Sequence, residues 1–150
     1  MTNKEIVLNA MRSQGRADAL DLRARAANMD GTAIIEEEEK IPLFNGQKDY
    51  SSWTVGAPVA EIIDGERQIF TLIQPYNAAN YSGTPSTLPA LWSIRHTKDP
   101  KKAKPWLAPN GTSGLWMKDE CCTDNGKTWS SAQDNNAFSP SAYPLYWNEV

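Results

Sequence analysis

Every aromatic residue of the 150-residue chain, six Trp, five Tyr and three Phe, lies between Phe44 and Trp147. The first 43 residues hold none and carry much of the Ala, Arg and Glu. This partition constrains the fold more than any other feature. Before the boundary, only narrow apolar stripes are available. After it, short elements can be held together by rings that each bury some 150–250 Å².

The aromatic-free segment reads as helix. Thr2 and Glu5 have capping-box spacing, in which each side chain satisfies an orphan backbone amide. Ile6, Val7, Ala10 and Met11, then Ala17, Leu20, Ala24 and Ala27, recur at helical intervals. Gly15 interrupts weakly, at about 1 kcal/mol relative to Ala. Asn28, Asp30 and Gly31 are stop signals. So narrow a stripe must pack on something: its own domain, copies of itself, or a larger particle. Glu36 to Glu39 form a solvated acidic run, and Ile41-Pro42-Leu43-Phe44 a connector.

Beyond Phe44 the pattern changes to short strands separated by tight turns. Asn45-Gly46, Asp64-Gly65, Asn110-Gly111 and Asn125-Gly126 suit turns with positive φ. Residues 60–63 and 68–73 flank Asp64-Gly65 as one hairpin, and 116–122 and 128–132 flank Asn125-Gly126 as another. The proline-bounded, lysine-rich stretch 98–105 reads as a linker.

The hairpins align with one another. Phe70 is followed by Gln74 and Asn77 at plus four and plus seven, and Trp129 by Gln133 and Asn136 at the same offsets. Pro85 and Pro140 each precede a Trp, Trp92 and Trp147, by seven residues. Upstream, Val59 matches Cys121. Repeats of this length are single supersecondary units. Some 45 residues cannot build a large core, so each unit relies on indole rings. The expected architecture is mostly β: an N-terminal helical segment (1–43), a small antiparallel module (44–97), a linker (98–105) and a second module (106–150).

Gln74-Pro75-Tyr76-Asn77 and Pro85-Ser86-Thr87-Leu88-Pro89-Ala90-Leu91-Trp92 resemble the C-terminal half of the small chitin-binding-type carbohydrate-binding modules appended to bacterial chitinases. Gly56-Ala57-Pro58-Val59 and Asp64-Gly65 correspond to the family's upstream segment. Asp119, Asn125-Gly126, Trp129, Phe138-Ser139-Pro140 and Trp147 follow the same scheme in the second copy. The family's exposed stacking Trp is Gly83 in the first copy, with Tyr81 two residues away, and Phe138 in the second. Its His is Tyr76 in one copy and Asn135 in the other. The resemblance implies sugar contacts from Tyr76, Asn77, Tyr81, Gln133, Asn136 and Phe138. Tandem copies behind a helical segment look like small virion proteins encoded in phage or prophage tail regions. The implied partners are a cell-surface or cell-wall polysaccharide and other virion proteins, with homo-oligomers, trimers among them, and localisation on the particle. The rival expectation is a purely structural capsid or tail protein whose modules mediate assembly.

Other classes are disfavoured on chemistry. A net charge of −3 does not suit a dedicated nucleic-acid binder, which must neutralise phosphate. No run approaches the roughly 20 apolar residues of a membrane-spanning helix, and the first residues lack secretory-signal character. Cys121 and Cys122 are sequence neighbours, about 3.8 Å apart at Cα, and cannot staple distant segments. With one His (His96), no multi-histidine metal site is available. A Cys–His nucleophile pair with His96, or a carboxylate pair drawn from Asp64, Glu66, Asp119, Glu120 and Asp124, is chemically conceivable. No phosphate-binding loop or nucleophile elbow accompanies them. The expectation is a non-catalytic protein without cofactor or metal.

Overall fold

The computed structural model describes residues 2–150. Helix α1 (Asn3–Arg25) opens on the capping box: Thr2 Oγ1 accepts from Glu5 N at 3.1 Å, and Glu5 Oε2 accepts from Thr2 N at 2.7 Å. Gly15 does not break it. A 3-10 turn (Ala26–Asn28) follows, and the short helix α2 (Gly31–Glu36) begins at Asp30, whose carboxylate accepts from Ala33 N. The polar cluster read as a stop therefore ends one helix and caps another.

Two sheets come next. The first orders β1 (Pro58–Ile63), β2 (Glu66–Leu72) and β3 (Trp92–Arg95) as an antiparallel meander. The second orders β4 (Lys104–Pro105), β5 (Cys121–Asp124), β6 (Lys127–Ser131) and β7 (Trp147–Glu149), antiparallel except for the β4–β5 pair. Helix takes 32% and strand 26%, and every named strand lies at or after Pro58. The two-residue turns work as their sequences require: Asp64 and Asn125 both adopt positive φ, at 52° and 50°, each followed by Gly.

The two sheets have matching registers. Val59 pairs with Phe70 and Leu72 with Trp92; Cys122 pairs with Trp129 and Ser131 with Trp147. Gly56 N donates to Leu72 O as Asp119 N does to Ser131 O. Ile73 N donates to Leu91 O as Ala132 N does to Tyr146 O. Each sheet is also entered by an aromatic residue bonded to its first long strand, Phe44 N to Ala60 O and Trp106 N to Thr123 O. The counterpart of Val59 is thus Cys122, not Cys121. The second hairpin is two residues shorter on each arm, and counting back from the turn glycine loses the phase. Strand β5 starts only at Cys121 because Asp119, at φ 74°, turns the chain just before it.

Alternation along β1 and β2 gives the first sheet two buried faces. Val59, Phe70 and Leu72 join Tyr50, Tyr76, Leu91 and Trp92 on one side. Ala60 and Ile69 join Leu22, Ala26, Ile34, Ile35 and Ile41 of the helical segment on the other. A third, smaller core holds Trp116, Cys122 and Trp147, flanked by Trp106, Trp129 and Tyr146.

The stretch 98–105 is not a free linker. Lys98 N donates to Thr32 Oγ1, Asp99 caps a 3-10 turn at Pro100–Lys102, and Lys104 pairs with Glu38 at 3.1 Å. Lys104 and Pro105 then enter the second sheet as β4. Helix α2 also lies against the end of β3: a Cβ on Gly31 would stand 2.2 Å from His96 O. Gly31→Ala is therefore expected to cost about 1–3 kcal/mol through forced separation of these segments. Urea unfolding at neutral pH checks it, and a neutral substitution would refute the close approach.

Candidate functional site

The exposed aromatic rings lie in the loop that precedes the last strand of each sheet, Tyr81 before β3 and Phe138 and Tyr143 before β7. In the second, Asn136 is fully buried: its Nδ2 donates to Ser131 Oγ and Tyr146 O, and its Oδ1 accepts from Phe138 N. Trp147 Nε1 donates to Phe138 O at 2.9 Å. These bonds hold the 136–138 backbone from beneath and push the Phe138 ring outward, 50% exposed. Tyr143, 40% exposed, stands 5.8 Å from it between ring centroids, and Tyr146 lies 6.1 Å from Phe138 and 4.1 Å from Tyr143. The three rings are tilted by 37–49° against one another.

Polar groups of the β5–β6 turn are tied to the same loop at Ser141. Asp124 Oδ2 accepts from Ser141 N at 3.0 Å and from Ser141 Oγ at 2.6 Å, and Asn125 Nδ2 donates to Ser141 Oγ. The loop thus carries exposed rings at 138 and 143 and, between them in sequence, a Ser141 hydroxyl tied to an amide and a carboxylate. That combination suits a ligand with an apolar face and a hydrogen-bonding perimeter, which describes a pyranose ring. The first sheet presents a sparser version: Tyr81, 52% exposed, packs edge-on against Tyr76 at 5.1 Å.

No family model, curated protein or solved structure matches the chain.

The six residues singled out from the sequence separate cleanly. Tyr81 and Phe138 are exposed. Tyr76 is withdrawn as a contact, because its ring is buried and its hydroxyl accepts from Trp92 Nε1 at 2.8 Å. Asn136 is withdrawn for the bonds given above. Asn77 is half-buried and spends its Oδ1 on Ala79 N as the cap of a 3-10 turn. Gln133 is half-buried, and its carbonyl accepts from Ser131 Oγ. Tyr143 and the Asp124–Asn125–Ser141 fringe were missed. The available signal was Tyr143-x-x-Tyr146-Trp147, three rings where closing the core needs one.

The acid and thiol candidates are placed structurally. Asp64 occupies a turn, and Asp124 holds Ser141. Both cysteines are free and buried, and burial drives the Cys122 thiol up to about 12, so neither is a ready thiolate. His96 stacks on Trp116 at 3.5 Å and 14°, and its Nε2 meets Gly114 O at 3.2 Å. Among the described residues, no hydrogen bond joins His96 to either thiol, and no cluster of His, Cys, Asp and Glu is placed to hold a metal ion.

Proposed function

We propose that this is a non-catalytic glycan-binding protein of a phage or prophage particle, built on a duplicated aromatic module. The observation that carries the reading is the Phe138–Tyr143–Tyr146 cluster with its Asp124–Asn125–Ser141 fringe. Duplication is supported by the shared register and by the paired hydrogen bonds of the two sheets. The ligand class is a neutral polysaccharide of the cell surface or wall, chitin-like β-linked glycans included. The second sheet supplies the main platform and Tyr81 a weaker one. Two weak sites on one chain gain by avidity on a repetitive polymer. The phage setting rests on the resemblance of the modules and their order behind a helix. A purely structural role on the particle is the second reading, favoured by the apolar surface that α1 leaves exposed.

Calorimetric titration with chitin oligomers and solubilised wall polysaccharides tests the proposal. Phe138→Ala/Tyr143→Ala should weaken binding at least about tenfold, the equivalent of roughly 1.4 kcal/mol for losing two ring contacts. Tyr81→Ala should weaken it only a few-fold. Equal affinity for the double variant and the native chain would reject the site. Absence of binding to every glycan would favour the structural reading.

A further inference from the structure

Helix α1 covers its own domain with one face only. Leu22, and Ala26 just past the helix end, are buried against the first sheet. At 3.6 residues per turn, the line Ile6, Ala10, Ser13, Ala17, Leu20 lies about half a turn round the helix from them. All five residues are exposed, Ile6 at 52% and Leu20 at 57%. Their spacing alternates four, three, four, three, the interval that keeps a seam facing a partner helix in a left-handed coiled coil. From residue 6 to residue 17 the seam lies on the side of α1 opposite the residues it buries, so a second helix can lie along that part while both domains stay outside. At its far end the line passes a hollow of about 380 Å³ bounded by Leu20, Arg23, Ala24, Ser52 and Trp53.

The charges beside the seam indicate what covers it. Asp21 lies on one flank with Val7 and Gln14, and Arg16 and Arg23 lie on the other. Arg25 fixes Asp21 at 2.8 Å and also grips Glu37. In a parallel, in-register pair, Arg16 of each helix falls opposite Asp21 of the other, since flanking positions five residues apart meet across such a seam. An antiparallel pair would set the Arg16–Arg23 flanks against each other. The seam is thus complementary to itself in one orientation.

We infer that α1 pairs in parallel with α1 of a second copy of this chain, through Ile6, Ala10, Ser13, Ala17 and Leu20. The inference is independent of the glycan reading. The small side chains at 10, 13 and 17 let the two backbones approach toward the lower end of the usual 8–10 Å. The seam is short, well below the roughly 1,600 Å² of a standard interface, so the dimer should dissociate in the micromolar range.

Light scattering on the full chain across about 1–200 μM tests this. The native chain should pass from one to two chain masses. Ala17→Glu/Leu20→Glu should remain one chain mass throughout with an unchanged circular dichroism spectrum, as both positions are exposed in the monomer. Met11→Glu, on a different face, should dimerise like the native chain. Ile6→Cys should form an intermolecular disulfide under mild oxidation, because parallel pairing brings the two residues 6 together; the buried Cys121 and Cys122 should leave the native chain uncrosslinked. A native chain that stays monomeric at 200 μM overturns the inference. So does a dimer that survives the double substitution, a Met11→Glu variant that cannot dimerise, or an Ile6→Cys dimer that resists crosslinking.

Discussion

Trp92→Ala should remove about 3–5 kcal/mol of stability, the range for deleting a fully buried large aromatic. Trp92 is 1% exposed and central to the larger core. Its ring meets Tyr50 edge-on at 5.4 Å, Phe44 at 6.0 Å and Tyr76 at 6.1 Å, and its Nε1 donates to Tyr76 Oη. Truncation leaves a cavity and strands a buried hydroxyl, two costs that add. Trp147→Ala should cost less. Its strand partner is Ser131 where that of Trp92 is Leu72, and its core has three buried members. Urea unfolding followed by circular dichroism reads both values. A cost for Trp92→Ala below that for Trp147→Ala would mean that the first sheet is held chiefly by its helical side.

The same rings explain what could be read from the sequence. Spacing from Phe70 to Asn77 and from Trp129 to Asn136 is informative because each end is fixed by backbone pairing, and the proline-to-tryptophan interval places the returning strand. These offsets survive any difference in hairpin length. The match of Val59 to Cys121 does not, since it counts through the turn. The helix start was legible because a capping box is a local device. The role of residues 98–105 was not: the pairing of Lys104 with Glu38 spans 66 positions, and a lysine carries no local mark of its partner. Tyr76 shows the corresponding limit at the site. Whether a tyrosine in a turn faces water or core depends on a hydrogen-bond partner 16 residues away. Phe138 is reached only through the resemblance, which places it on a loop; in the structure its backbone is held by Asn136 Oδ1, two residues before it, and its ring is exposed. Tyr143 lies outside the motif that carries the resemblance, and its one local mark is the run of rings at 143, 146 and 147.

Acidification should destabilise the chain between pH 6.5 and about 4 through His96. Burial against Trp116 lowers its pKa to about 4; Arg95 adds to the shift, and the Gly114 carbonyl opposes it. The folded state therefore disfavours the proton. Above pH 6.5 both states hold a neutral ring and there is no penalty. Below 6.5 the unfolded chain takes up a proton that the folded chain refuses, and the loss grows until the folded ring also titrates near 4. A shift of this size corresponds to a total on the order of 3 kcal/mol. Glu120 acts in the opposite sense, since burial raises its pKa and the fold gains from its protonation. Glu37, drawn down to about 2 by Arg25 and then Lys40, contributes above its unfolded value near 4.5 and loses that contribution toward pH 2. The His96 effect is isolated by His96→Phe, which keeps a ring on Trp116 and removes the titration. Unfolding free energies at pH 7, 6, 5 and 4 should fall more steeply for the native chain than for His96→Phe across this interval. Parallel profiles would mean that the imidazole accepts its proton in place, and that its stack on Trp116 opens at little cost.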